Sequence, residues 1–201
     1  CKSWQFVGDE ELFFAGPENI HPTWILEKFL DEPILLSRQE DGGIKCLTNV
    51  CTHRGFLLAQ HPAKVRKITC QYHGRRFGLD GQFEFMPEFK EAEDFPRPCD
   101  HLHELPIGKW RQFMFTSLDP SVDFEAISRR LDERLYFMDI ESFTFHPELS
   151  KVYNVSAHWA LYIDNYMEGC HVPFVHTDLG SLLDLSLIPY LHALRPPLFH
   201  H

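Results

Sequence analysis

Two short stretches, CTHRG at residues 51–55 and CQYHG at residues 70–74, each place a cysteine shortly before a histidine and end on a glycine. Thiolate is a strong, soft ligand for iron or zinc and imidazole a borderline one, so Cys51, His53, Cys70 and His73 make a four-ligand metal set. The order Cys, His, Cys, His bears on the metal. A Cys2His2 zinc finger groups its cysteines first and its histidines second, whereas here each cysteine has its own histidine. Alternation suits a binuclear centre: if each loop sends its cysteine to an inner iron and its histidine to an outer one, both loops cover a single [2Fe–2S] cluster. Neutral imidazoles in place of two thiolates leave such a cluster less negative and raise its potential. Gly55 and Gly74 let the backbone turn tightly around the sulfides. Zinc stays as the competing metal.

The spacing Cys-x-His followed by Cys-x2-His matches the ligand pattern of Rieske centres. Arg54, Arg75 and Arg76 flank it, either as a docking patch for an acidic electron donor or as ordinary surface and intradomain ion pairs. A second constellation lies in DNYMEGCHVPFVH, Asp164 to His176. Glu168 and His171, three apart, share one face of a helix. Pro173 interrupts that helix, because proline has no N–H to donate, and the chain can then carry His176 back toward His171. Two converging imidazoles and a carboxylate from elsewhere form the 2-His-1-carboxylate triad of non-haem iron(II) oxygenases.

With both motifs present, the chain resembles the oxygenase component of the Rieske non-haem iron oxygenases over nearly its whole length. The run NVSAHWALYIDNYMEGCHVPFVH is similar to members that oxidise carnitine, choline or glycine betaine. The resemblance implies a [2Fe–2S] Rieske cluster on Cys51, His53, Cys70 and His73 and a mononuclear Fe(II) on His171 and His176, with a distant downstream aspartate as third ligand. Asp178 and Asp184 are not assigned to that place. Glu168, where the family more often has aspartate, takes the bridging role between His171 and His73 of an adjacent copy, which implies a ring such as a trimer. The implied partners are a small organic substrate, O2, and a separate NAD(P)H-dependent reductase or ferredoxin. Aromatic-ring dioxygenation is the alternative chemistry, and a Rieske electron carrier without oxygenase activity is the alternative of another class.

The bulk properties agree with a folded enzyme. Hydrophobic residues make up 44% and charged residues 24% of 201 residues, with 18 phenylalanines as core material. A formal net charge of −10 argues against a nucleic-acid partner, which needs a basic stripe. No stretch has the roughly 20 apolar residues of a spanning helix, and the start CKSWQFVGDEE lacks a signal-peptide layout, so no membrane role and a cytoplasmic location are expected. Residue 1 is not methionine. Of the 6 cysteines, the four outside the motifs read as buried or unremarkable rather than as a disulfide framework.

The elements that must position these ligands are mostly strands. PILLSR, IKCLTNV, KITCQY and WRQFMFTSL are short, β-branched and aromatic, and LDGQF marks a turn at Asp80 and Gly81, so an antiparallel β sandwich is expected from about Thr23 to Leu118. Residues 84–105 read as a long loop holding His101 and His103 as solvated side chains. Beyond Pro120 the period changes: Asp123 caps an amphipathic helix through Phe124, Ile127, Leu131 and Leu135. FTFHPELSKVYNVS reads as strand-like, and a second helix runs from about Ala157 to Cys170. The expected class is α+β: an all-β Rieske domain at 1–120 and, at 121–201, the opening of a helix-grip-like catalytic domain.

Overall fold

The computed structural model describes residues 2–167 and 171–182. The chain divides into two compact units, Cys1–Thr144 and Phe145–His201. The first is built on strands β1 (Gln5–Asp9), β2 (Ile20–Ile25), β3 (Glu32–Arg38), β4 (Ile44–Thr48), β5 (Ile68–Thr69), β6 (Arg76–Phe77), β7 (Phe83–Phe85), β8 (Glu104–Leu105), β9 (Ile107–Trp110) and β10 (Phe113–Thr116), with a single-turn helix α1 (Glu10–Phe13) after β1. They form three antiparallel sheets, ordered β1-β10-β9, β2-β3-β4-β8 and β5-β6-β7.

Strand β3 contributes side chains to two separate cores. Ile34, Leu35, Leu36 and Ser37 are fully buried, so this strand is covered on both faces and reads as a continuous apolar run rather than an alternating one. Successive side chains still point opposite ways. Leu35, with its partner Leu47 on β4, joins Ile20, Leu58, Ile68, Phe77, Leu102, Cys51 and Cys70 in one core. Ile34 and Leu36, with Cys46, join Phe14, Ile25, Leu105 and Met114 in a second core on the other face. Each such residue contributes about 1.5–3 kcal/mol by burial. The first core therefore contains both motif cysteines, which anchors the two motif loops to the interior.

Three readings of the sequence differ from the structure. WRQFMFTSL is not one strand: Trp110 ends β9 and Phe113 begins β10, and the pair is joined by Arg111 and Gln112 with Arg111 at φ +54. No glycine or asparagine marks that tight turn, so its sequence signal is missing. Strand β1 and the start of β2 lie ahead of the expected β region. FTFHPELSKVYNVS forms no strand; it holds a 3-10 turn at Pro147–Leu149 and otherwise irregular, exposed backbone. Its alternating pattern finds no neighbouring strand among the described residues.

Helix α2 (Phe124–Leu135) begins as expected, with the Asp123 carboxylate accepting from the Glu125 N–H. Phe124 packs with Trp110 and Ile140 in a third core lined by Trp4, Leu131 and Leu135. The Trp110 indole N–H donates to Asp132 at 2.9 Å. These contacts fasten α2 to the β9–β10 sheet, so by packing the first unit extends to Thr144, whereas the change of period falls near Pro120. The second unit contains α3 (Trp159–Met167), α4 (Val172–Val175) and α5 (Thr177–Leu182). No helix among the described residues is long and apolar enough to cross a membrane.

Candidate metal centre

The two motif loops share one backbone form. The Cys51 N–H donates to the Phe56 carbonyl at 2.8 Å and the Gly55 N–H to the Cys51 carbonyl at 3.0 Å; in the second loop the Cys70 N–H donates to the Arg75 carbonyl at 2.8 Å and the Gly74 N–H to the Cys70 carbonyl at 3.0 Å. Gly55 and Gly74 adopt φ +68 and +72, a left-handed conformation that costs other residues about 1–2 kcal/mol. A Val50–Leu57 bridge closes the first loop and the Thr69–Arg76 pair of β5 and β6 closes the second. Each loop is thus a tight turn at the tip of a paired ribbon. Below the first, the buried Asn49 amide accepts from the Ala59 N–H at 2.9 Å and donates to the Ala59 carbonyl at 2.8 Å, extending the pairing with a side chain.

The four side chains sort by type. Cys51 and Cys70 are buried in the same core. His53 and His73 lie toward solvent, with ring centroids 4.8 Å apart at 61°. Burial, reinforced by Cys70, pushes the Cys51 thiol up, so a metal must supply positive charge before it ionises. Burial and the nearby His73, Arg54 and Arg75 charges lower His53, keeping its imidazole neutral and its lone pair free to coordinate. Among the described residues no three His, Cys, Asp or Glu side chains gather around one point. Sulfurs inside and nitrogens outside suit a two-iron cluster better than a single tetrahedral zinc. The residues present therefore fit a [2Fe–2S] group.

The flanking arginines part company. Arg54 and Arg76 are exposed, Arg76 lying over the Phe85 ring at 4.2 Å. Arg75 is buried and pairs with Asp100 at 2.5 Å, under the rings of Phe83 and Phe95. Removing one partner of so buried a pair costs about 3–5 kcal/mol. The Asp100 carboxylate also accepts from the Arg97 N–H at 2.8 Å, and the Asp100 carbonyl accepts from the Thr52 hydroxyl at 2.8 Å. Burial alone would raise the Asp100 carboxyl, but the Arg97 N–H and the Arg75 guanidinium outweigh it and hold the carboxyl below its ordinary value. Asn49, Thr52 and Asp100 were not singled out by the sequence motifs. Asp100 sits in the proline-rich loop, where only its distance in space, not in sequence, links it to the ligands. In the same loop His101 is not merely solvated: its Nδ1 accepts from the Phe83 N–H at 2.8 Å.

The second constellation is partly described. His171 and His176 flank α4, their ring centroids 5.3 Å apart at 76°. Pro173 sits in the first turn of α4, where its missing N–H has no helical partner to lose; the expected break after the preceding helix falls on residues 168–170, outside the described residues. The His176 N–H donates to the Val172 carbonyl at 3.0 Å, which closes that turn and brings the rings together. These two imidazoles can serve one ion as a pair. Asp178 lines the same shallow depression as His176 without completing a three-ligand group. Glu168 and Asp184 lie outside the described residues.

Residues 21–96 match the family model of the Rieske [2Fe-2S] domain. Beyond that domain the chain is similar to oxygenases of the Rieske non-haem iron class. Proteins it is similar to include choline, carnitine and glycine betaine monooxygenases. It is 29% identical over 92% of its length to choline monooxygenase of Beta vulgaris, covering 42% of that protein. It is 32% identical over 80% of its length to the glycine betaine monooxygenase oxygenase subunit of Chromohalobacter salexigens, covering 35% of it. A quaternary ammonium Rieske monooxygenase crystallised with L-carnitine superposes with a TM-score of 0.66 at 25% identity, covering 91% of this chain and 51% of that one. The chain thus spans about a third to a half of the length of these relatives.

Proposed function

We propose that this chain is part of the terminal oxygenase component of a multicomponent Rieske non-haem iron oxygenase that hydroxylates a small organic substrate, of the quaternary ammonium class, with O2 and electrons from NAD(P)H delivered by a separate reductase. Cys51, His53, Cys70 and His73 would hold the cluster, and His171 and His176 the mononuclear iron together with a carboxylate. When bound, the cluster supplies one-electron relay and the mononuclear iron supplies oxygen activation. The protein's own part is positional. The paired loop backbones fix the sulfurs in the core, and the half-exposed His53 and exposed His73 leave one edge of the site accessible. Glu168 would link His171 to His73 of a neighbouring copy in a trimer, by resemblance to the family, and a cytoplasmic location is part of this reading.

The observation that supports it most is the coexistence, on one chain similar throughout to these monooxygenases, of two matched Cys/His loops and a His171–His176 pair. The test uses the full-length protein with a reductase and NADH. O2 uptake coupled to product from choline, carnitine or glycine betaine is expected, with about three irons per chain. About two irons and no turnover would favour an electron carrier; turnover of an aromatic hydrocarbon alone would favour ring dioxygenation; a colourless zinc protein would sink the reading.

A further inference from the structure

Arg75 and Asp100 tie the cluster site together from outside the ligand motifs. The Asp100 carbonyl accepts from the Thr52 hydroxyl of the first loop at 2.8 Å and from the Arg75 guanidinium, at the end of the second loop, at 3.3 Å. Its carboxylate takes Arg75 at 2.5 Å and the Arg97 N–H at 2.8 Å. One residue thereby holds both loops and a buried cation at once. The side chains of this pair are 4% and 12% exposed, so solvent screens them little. The Arg75 Nε is buried without a partner among the described residues. A fixed cation beside a redox centre favours whichever state is more negative, and the adjoining anion offsets it.

We propose that Asp100 is a positioning residue of the cluster site, closing a Thr52–Asp100–Arg75 clasp that fixes the two loops against each other and sets the net charge beside the cluster. The inference rests on the reading of Cys51, His53, Cys70 and His73 as cluster ligands. Asp100→Asn leaves the Arg75 charge uncompensated while keeping hydrogen-bonding capacity. Its expected effect is a shift of the one-electron equilibrium toward the reduced cluster by about tenfold, ~59 mV upward. The Arg75→Gln/Asp100→Asn double variant carries neither charge, so its potential returns toward the wild-type value. Thr52→Val changes no charge: the potential stays, but loss of one hydrogen bond speeds cluster removal by a chelator about threefold or more. Thr52→Ser restores the wild-type rate.

Measurements are made on the full-length protein, by potentiometric titration of the visible spectrum and by iron release to a chelator. An unchanged potential in Asp100→Asn overturns the charge assignment. An unchanged release rate in Thr52→Val overturns the clasp. Where Asp100→Asn does not hold its cluster, the double variant decides: a wild-type potential with faster release supports the proposal, and wild-type behaviour in both overturns it. Failure of the underlying reading shows separately, as a wild-type protein with no Rieske absorption.

Discussion

Cys51 and Cys70 head loops whose two closing hydrogen bonds agree in length, 2.8 Å from the cysteine N–H and 3.0 Å to the cysteine carbonyl. The sole difference in ligand placement is that His53 follows its cysteine by two residues and His73 by three. Equivalent anchoring predicts equivalent loss: Cys51→Ser and Cys70→Ser each abolish the visible absorption of the cluster. Retained colour in either variant contradicts the ligand assignment.

The glycines of these loops are equivalent in φ but not in surroundings. A Cβ at Gly74 would sit 3.2 Å from the Pro87 Cγ, whereas one at Gly55 meets nothing within 4 Å. Gly55→Ala should lose only the left-handed penalty, about 1–2 kcal/mol, and Gly74→Ala more. Chemical denaturation midpoints compare them directly, and a larger loss at Gly55 would overturn the local geometry.

Asp132 fastens α2 to the sheet. The Trp110 indole N–H above all, against the opposing effect of desolvation and with help from Arg111, holds its carboxyl below the ordinary 3.8. A carboxyl depressed in the folded state binds fewer protons there than when unfolded. Its contribution is therefore present above pH 3.8 and disappears as pH falls through the lower folded value. Denaturation of wild type and Asp132→Asn should differ most above pH 3.8 and converge as pH falls below it; a gap independent of pH would rule out this linkage.

The His171–His176 pair predicts a separable metal. His171→Ala or His176→Ala should lower the iron content of the full-length protein by about one per chain while the cluster spectrum persists. An unchanged iron count would remove both residues from the site.

Glu168→Gln tests the bridge. Both metals should stay bound while single-turnover oxidation of the reduced cluster slows by at least about tenfold, since a neutral amide cannot replace the carboxylate in accepting two N–H donors. Normal oxidation would reject the role.

Much of the site was legible because its information is local. The CTHRG and CQYHG loops carry ligand, spacing and glycine within a few residues, and Asp123 announces α2 in the same way. The α+β class and the antiparallel β character of the first unit followed from short aromatic and β-branched runs. Other features depend on distant partners. Thr52 and Asp100 are ordinary residues until the chain brings them within 2.8 Å. The Arg111 turn has no glycine to betray it, and FTFHPELSKVYNVS has a strand's pattern without a strand's partner. Pro173, expected to break a helix because it has no N–H to donate, stands in the first turn of α4, where no N–H is required.

Because Leu35 faces the cysteines and its two neighbours face the opposite core, β3 is a shared wall between the redox side of the domain and its outer sheet. Inserting or deleting a single residue in it would exchange the occupants of the two sides at once. The seven residues of β3 therefore keep two interiors in register with one strand.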